Sequence, residues 1–230
     1  FQAEDGIRDR SPSRGLGDVY KRQVAARTGE NEQDISLFIV PSNADGISLT
    51  DLKTIASDKQ SEVIFENVSV DENSLLGKAN EGWATIEKVL QWGAIGKCAE
   101  MSGGGQSVLD MTVEYAKQRT QFGRPIGSFQ AIQHHCAHMA TDVQVSKFIT
   151  YQAAWRLSEG RPAEREVAMA KAWVSEAYRR VCALGHQSHG AIGFTKEHNM
   201  QLYSRRAKAA EIMFGDSNFH LEKVAKKIGL

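Results

Sequence analysis

The sequence predicts a mainly α chain: an antiparallel four-helix bundle preceded by a truncated β-domain fragment. Three observations carry that expectation. From Gly82 onward, apolar residues recur at steps of three and four, the period of a helix face. Before it, short runs rich in β-branched and aromatic residues end at turn residues, the pattern of strands. The connections between the helical segments are short, which places successive helices side by side and antiparallel.

The 230 residues carry 28 basic and 28 acidic side chains, a balance that offers nucleic acid no electrostatic footprint. No apolar run approaches the roughly 18 residues of a membrane span, and no signal-peptide core is present. Cys98, Cys136 and Cys182 lie in apolar helical patterns without paired or metal-ligand spacing, as buried free thiols of a cytoplasmic protein do. Residues 1–23 show neither apolar period, and they resemble translated adapter from DNA sequencing: residues 2–9 match one common adapter in frame and residues 13–23 a transposase adapter. They are set aside as a non-native segment, and the remainder is expected to be a fragment of a longer protein.

Residues 24–79 read as the C-terminal part of a β-domain. Residues 35–40 (ISLFIV) form a strand closed by Pro41-Ser42-Asn43, and Asp45-Gly46 marks another turn. Residues 61–68 alternate, with Val63 and Phe65 on one face and Ile64 on the other.

Residues 80–230 read as the bundle. Cys98, Met101, Gly105, Val108, Thr112 and Tyr115 share one face of a first helix. Gly103-Gly104-Gly105 costs that helix about 1 kcal/mol per glycine against alanine, so it marks either close approach of another helix or ligand, or a local break. Phe129, Ile132, Cys136, Met139 and Val143 form the second stripe, with Ser128 as its N-cap. Gly160 ends that helix, and Pro162 suits the first turn of the next. Val167, Ala170, Val174, Ala177, Val181 and Leu184 form the third stripe. A loop over 186–195, a fourth helix over 196–213 and a short last helix from Asp216 complete the chain. Trp83, Trp92, Trp155 and Trp173 fall within the helices as core or interface packing. His134 and His138, four apart on a helix, lack a third ligand, so no metal site is expected.

Two stretches carry chemistry. The first is R-T-Q-F-G-R-P-I-G-S-F-Q, residues 119–130, between the first two helices. By residue type it is either a solvated basic turn or a seat for phosphate, since the guanidinium fork of Arg119 or Arg124 suits phosphate oxygens. The second is H-Q-S-H-G-A-I-G-F, residues 186–194, whose glycines let backbone approach a ligand. Together the two resemble the signature turn and the Q-x-x-G-G-x-G-F/Y loop of the acyl-CoA dehydrogenases, with Ala191 where a second glycine is usual. The run through residues 38–49 and 63–83 resembles the end of that family's middle β-domain.

The resemblance implies that the C-terminal domain is a four-helix bundle and that the cofactor is FAD, held across a subunit interface. Arg119 would pair with the pyrophosphate, Phe122 would pack on the cofactor, and Gln121, Gln130, Gln187, Gly190 and Gly193 would help hold the adenosine-diphosphate part. It implies an acyl-CoA substrate, a homo- or hetero-oligomer with another subunit of the family, and electron-transferring flavoprotein as acceptor. The ring-binding half of the site would lie upstream.

The family's base is a carboxylate at one of two points, and here Phe214 and Gly93 stand at them. Three accounts follow. The chain is a non-catalytic subunit whose partner supplies the base; or Glu211, Asp216 or Glu87 serves instead; or the bundle is purely structural. Glu211 has an ion-pairing role as its alternative, and Asp216 a role as cap of the last helix.

Overall fold

The computed structural model describes residues 20–230, which form two compact units divided between Val89 and Leu90. The adapter-like opening through residue 19 lies outside the described residues.

In the first unit, β1 (Lys21–Arg27) pairs antiparallel with β2 (Ile35–Pro41), from Lys21 opposite Pro41 to Arg27 opposite Ile35. Lys21, Arg22 and Gln23 therefore stand in a paired strand, although the sequence reading sets them aside with the residues before them. β3 (Ile47–Leu52) and β4 (Gln60–Phe65) form a separate hairpin, and β5 (Leu75–Leu76) adds to the free edge of β2. Ile64 is exposed while Val63 and Phe65 are half-buried, as the alternation predicts. The Asp45-Gly46 turn holds: Gly46 has φ +88° and its carbonyl accepts from Glu66 N at 2.8 Å.

The helical segment follows. α1 spans Trp83–Gln118, α2 Gln130–Ser158, α3 Glu164–His189, α4 Met200–Ile212 and α5 Ser217–Ile228. The side-chain contacts fix their directions. Arg156 pairs with Glu166, Arg180 with Asp142, and Ser188 with His135, so α2 and α3 are antiparallel. Ser204 of α4 bonds His186, and Lys171 reaches the carbonyl of Glu211, so α4 returns antiparallel along α3.

The core is one seam drawn from α1 to α4, and each predicted stripe contributes to it. Cys98, Met101 and Val108 face Met139 and Val143, with Val167, Ala170, Val174 and Val181 opposite. The glycine triplet resolves as close approach within a continuous helix: a Cβ on Gly104 would lie 2.5 Å from Tyr178 Oη, and one on Gly105 would lie 3.4 Å from Val143.

Helix ends depart from the sequence reading for local reasons. Ser128 is not the N-cap of α2, because a 3-10 turn over Ile126–Ser128 comes first and Ser128 Oγ donates to Pro125 O at 2.7 Å. Gly160 (φ +64°) does end the α2 segment. Pro162 lies outside α3, which begins at Glu164, and its carbonyl takes Arg156 Nε instead. Trp92, Trp155 and Trp173 are 51%, 49% and 40% exposed in the single chain, not core. Arg161 and Arg180 lie over the rings of Trp155 and Trp173.

Met139 is fully buried between α1 and α3. Met139→Ala is expected to lower the free energy of unfolding by about 2–5 kcal/mol, as measured by chemical denaturation.

Candidate functional site

At the end of α1 the chain makes a tight hairpin. β6 (Thr120–Gln121) pairs with β7 (Arg124–Pro125), and Arg119 closes it, its carbonyl accepting from Ile126 N at 2.8 Å. The two tip residues, Phe122 (φ +53°) and Gly123 (φ +77°), are both left-handed, as a two-residue hairpin of this twist requires. Glycine takes that conformation freely; a phenylalanine there costs on the order of 1–2 kcal/mol. The ring is nevertheless 91% exposed, braced edge-on against Phe129 at 6.0 Å. Arg124 covers the Phe129 ring at 4.2 Å, and Gln133 Nε2 ties the Gly127 carbonyl from below. Arg119, Gln121 and Gln130 are exposed, and no side chain among the described residues bonds the Arg119 guanidinium.

The glycine-bearing stretch begins as helix. Residues 186–189, expected in a loop, are the last turn of α3, and a 3-10 turn over Gly190–Phe194 follows. The two glycines do different work. Gly190 (φ +64°, ψ −144°) adopts a conformation open to glycine, with empty space where a Cβ would stand. Gly193 is a packing glycine, its would-be Cβ 3.1 Å from His189 and 3.3 Å from His186 Nδ1. Gln187 is exposed on the last turn of α3.

Histidines support this turn. His189 donates from Nδ1 to Gly185 O at 2.8 Å and stacks on Tyr115 at 4.5 Å. His186 bonds Ser204 and stacks on Phe194 at 4.4 Å. Burial pushes both imidazoles down from the ordinary histidine range, and the nearby His198 adds to it. Because Tyr115 ends α1 and His135 opens α2, the hairpin and the glycine turn sit at the same end of the bundle. The structure thus brings the two motifs together within one chain.

A groove of about 600 Å³ lies nearby between α1 and α2, floored by Leu109, Val113 and Ala140. Asp110, Glu114 and Lys117 line it, and with Lys117 paired to Glu114 the described residues present no free cation there to a phosphate. Among the described residues, no three His, Cys, Asp or Glu side chains gather as metal ligands. Burial pushes the Cys98 and Cys182 thiols up to about 12, so neither is a nucleophile.

The two positions expected to carry a carboxylate touch each other. A Cβ built on Gly93 would lie 2.5 Å from Cε1 of Phe214, so the ring fills the space beside the glycine. Phe214 is itself left-handed (φ +58°) and precedes Gly215 (φ +95°). The substitute carboxylates are engaged or remote from that ring. Glu211 pairs with Lys208 at 3.0 Å, Asp216 caps α5 by accepting from Phe219 N at 2.9 Å, and Glu87 is exposed on the first turns of α1.

Two residues beside Phe214 escape the sequence reading. Lys171 is fully buried, and its Nζ donates to Ser175 Oγ (3.1 Å), Glu211 O (3.0 Å) and Gly215 O (2.9 Å). Burial lowers its pKa to about 8. His220, 4% exposed, meets the Phe214 carbonyl through Nε2 at 2.8 Å. The one available signal was a lysine flanked by the apolar stripe Ala170–Val174 on both sides.

Comparison with known proteins finds relatives of the same fold. The profile described as "Acyl-CoA dehydrogenase, C-terminal domain" matches residues 80–229. The chain is similar to the probable acyl-CoA dehydrogenase YngJ of Bacillus subtilis, 35% identical over 211 residues, covering 89% of this chain and 56% of that protein. It is likewise similar to the mitochondrial short/branched chain specific acyl-CoA dehydrogenase of Bos taurus, 36% identical over 197 residues, with 84% and 46% covered. Among solved structures, butyryl-CoA dehydrogenase from Megasphaera elsdenii superposes with a TM-score of 0.87 at 27% identity, over 91% of this chain and 56% of that one. The chain spans about half the length of the curated relatives it matches.

His220 yields a pH prediction. Its Nδ1 is buried without a partner among the described residues, so the neutral ring donating from Nε2 is the form that fits, and burial lowers the pKa to about 4. With a folded value below the unfolded one, the unfolded chain binds the extra proton as pH falls from about 6.5 toward 4. Stability is expected to fall over that window by up to about 1.4 kcal/mol per pH unit from this histidine, and His220→Gln is expected to flatten the slope in urea titrations at stepped pH.

Proposed function

The chain belongs to the acyl-CoA dehydrogenase family, and from that premise we propose that it is the part of an FAD-dependent acyl-CoA dehydrogenase that grips the adenosine-diphosphate arm of the cofactor. The observation that carries this reading is the exposed hairpin: a guanidinium that no side chain among the described residues bonds, and an aromatic ring held out in a costly conformation. Arg119 would take the diphosphate by charge-assisted hydrogen bonds, and Phe122 would lie against a ring system of the cofactor. Gln121, Gln130 and Gln187 would donate to the same arm, the open face of Gly190 would let backbone approach it, and Gly193 would set the turn. FAD, when bound, supplies the hydride acceptor for desaturation of an acyl-CoA thioester, from which electrons pass to an electron-transferring flavoprotein.

The hairpin and the Gly93–Phe214 contact lie toward opposite ends of α1, roughly 40 Å apart at about 1.5 Å per residue. One chain cannot offer both to a single cofactor, which supports a site completed by a second subunit. The ring at 214 over a glycine at 93 also favours a second reading, in which this chain is the non-catalytic subunit of a heteromeric acyl-CoA dehydrogenase and its partner carries the base. Acyl-CoA oxidation with a dye acceptor is then expected only when a base-bearing partner is co-purified; turnover by this subunit alone would refute the second reading.

The cofactor reading is tested by calorimetric titration with FAD. Removing a charged hydrogen-bond donor costs about 1.5–3 kcal/mol, so Arg119→Met is expected to weaken binding by about tenfold or more. Lys117→Met, two residues away and already paired with Glu114, is expected to leave binding within about twofold. Equal affinity in wild type and Arg119→Met would remove Arg119 from the site.

A further inference from the structure

We infer that Lys171 and His220 are positioning residues that lock the Phe214 ring against Gly93, so that the ring is a fixed wall of this site and not a side chain free to turn aside. The inference rests on the proposed function for its meaning, since position 214 is where an acyl thioester would meet its base. Its physical content stands on packing alone.

A phenylalanine beside a glycine need not be locked, because an aromatic ring can swing about two side-chain torsions. Here the backbone beneath the ring is held at three successive points. Lys171 Nζ bonds the carbonyls of Glu211 and Gly215, on either side of residue 214, and His220 Nε2 bonds the Phe214 carbonyl itself. Asp216 then caps α5 directly after the turn, and Ser217 Oγ donates to Ala172 O on α3 at 3.3 Å. The Lys171 ammonium has three donors, and Ser175 Oγ takes the third, so all are used and it has no spare hydrogen for a reacting group. Its chain is wholly buried, which no surface ion pair would require. A free carbonyl at the end of α4 would need water or a cap; this lysine supplies it from the neighbouring helix. The consequence is a left-handed Phe214 whose ring edge occupies the place of a side chain at 93.

A locked ring makes a sign-changing prediction. In the wild-type chain, Gly93→Ala drives a methyl group into the ring edge and is expected to lower Tm by about 4 °C or more. In a Phe214→Ala background the obstacle is gone, and the same substitution is expected to raise Tm through the better helix propensity of alanine. In a Lys171→Met background the turn is released, and the penalty of Gly93→Ala is expected to shrink to about half or less. A control, Val181→Ala, destabilises the same helix ten residues beyond Lys171 and is expected to leave the Gly93→Ala penalty unchanged.

Should Lys171→Met not fold, His220→Leu and His220→Gln replace it, with 4-fluorophenylalanine incorporated and the Phe214 resonance assigned by its loss in Phe214→Leu. The leucine variant is expected to shift or broaden that resonance, and glutamine, which can still donate, to restore it. A Gly93→Ala penalty that is the same in the wild-type, Lys171→Met and Val181→Ala backgrounds overturns the inference, as does a Phe214 resonance indifferent to His220→Leu. None of these readouts involves flavin, so failure here leaves the cofactor proposal standing, and a chain that bound no FAD would leave the lock standing.

Discussion

Helix α3 must be a wall for several others at once, and the rest of the bundle depends on that constraint. It meets α2 through Arg180–Asp142, α1 through Tyr178 against Gly104, α4 through His186 and Gly185, and α5 through the Ala172 carbonyl. A helix so enclosed keeps its charges on one exposed strip, where Arg165, Arg179 and Arg180 lie, so its inward residues must be small, apolar or fully paired. Alanine and valine fill seven of its fifteen buried positions, and glycine, serine and cysteine four more. The one ammonium group on that buried side, Lys171, is tolerated because every hydrogen it carries has an acceptor.

The same constraint separates the two ends of the bundle by character. Toward the Gly93 end, side chains are used up on one another: Lys171, His220 and Asp216 spend their hydrogen bonds on backbone, and Phe214 spends its volume on a glycine. At the hairpin end the reverse holds. Arg119, Gln121, Gln130 and Gln187 are exposed, and Phe122 holds a strained conformation with its ring in solvent. Interactions left open in this way, on a rigid frame of two helix ends and a stacked Tyr115–His189 pair, are what a ligand-binding surface needs.

Much of this was legible in the residues. The stripes of three and four predicted which faces of α1, α2 and α3 are buried, because packing of an amphipathic face dominates helix energetics. Helix ends were harder. Ser128 looks like a cap but lies in a 3-10 turn, and residues 186–189 look like loop but extend α3, since side-chain-to-backbone bonds that decide such boundaries depend on the fold around them. Strands β1 and β3 escaped because short polar edge strands carry weak alternation; Arg22 and Asp51 sit in paired strands that composition alone would call loop. The contact between Gly93 and Phe214, and the burial of Lys171, are tertiary facts. Residues so distant in the chain become neighbours only when α4 returns along α3, and no local pattern encodes that return.

The claim that matters most is that the hairpin end of the bundle is a dinucleotide cradle. A structure of the assembled protein with FAD tests it most directly: Arg119 is predicted within hydrogen-bonding distance of the cofactor's diphosphate, with Phe122 against one of its ring systems. FAD bound elsewhere, with the Arg119 guanidinium still facing solvent, would contradict the account.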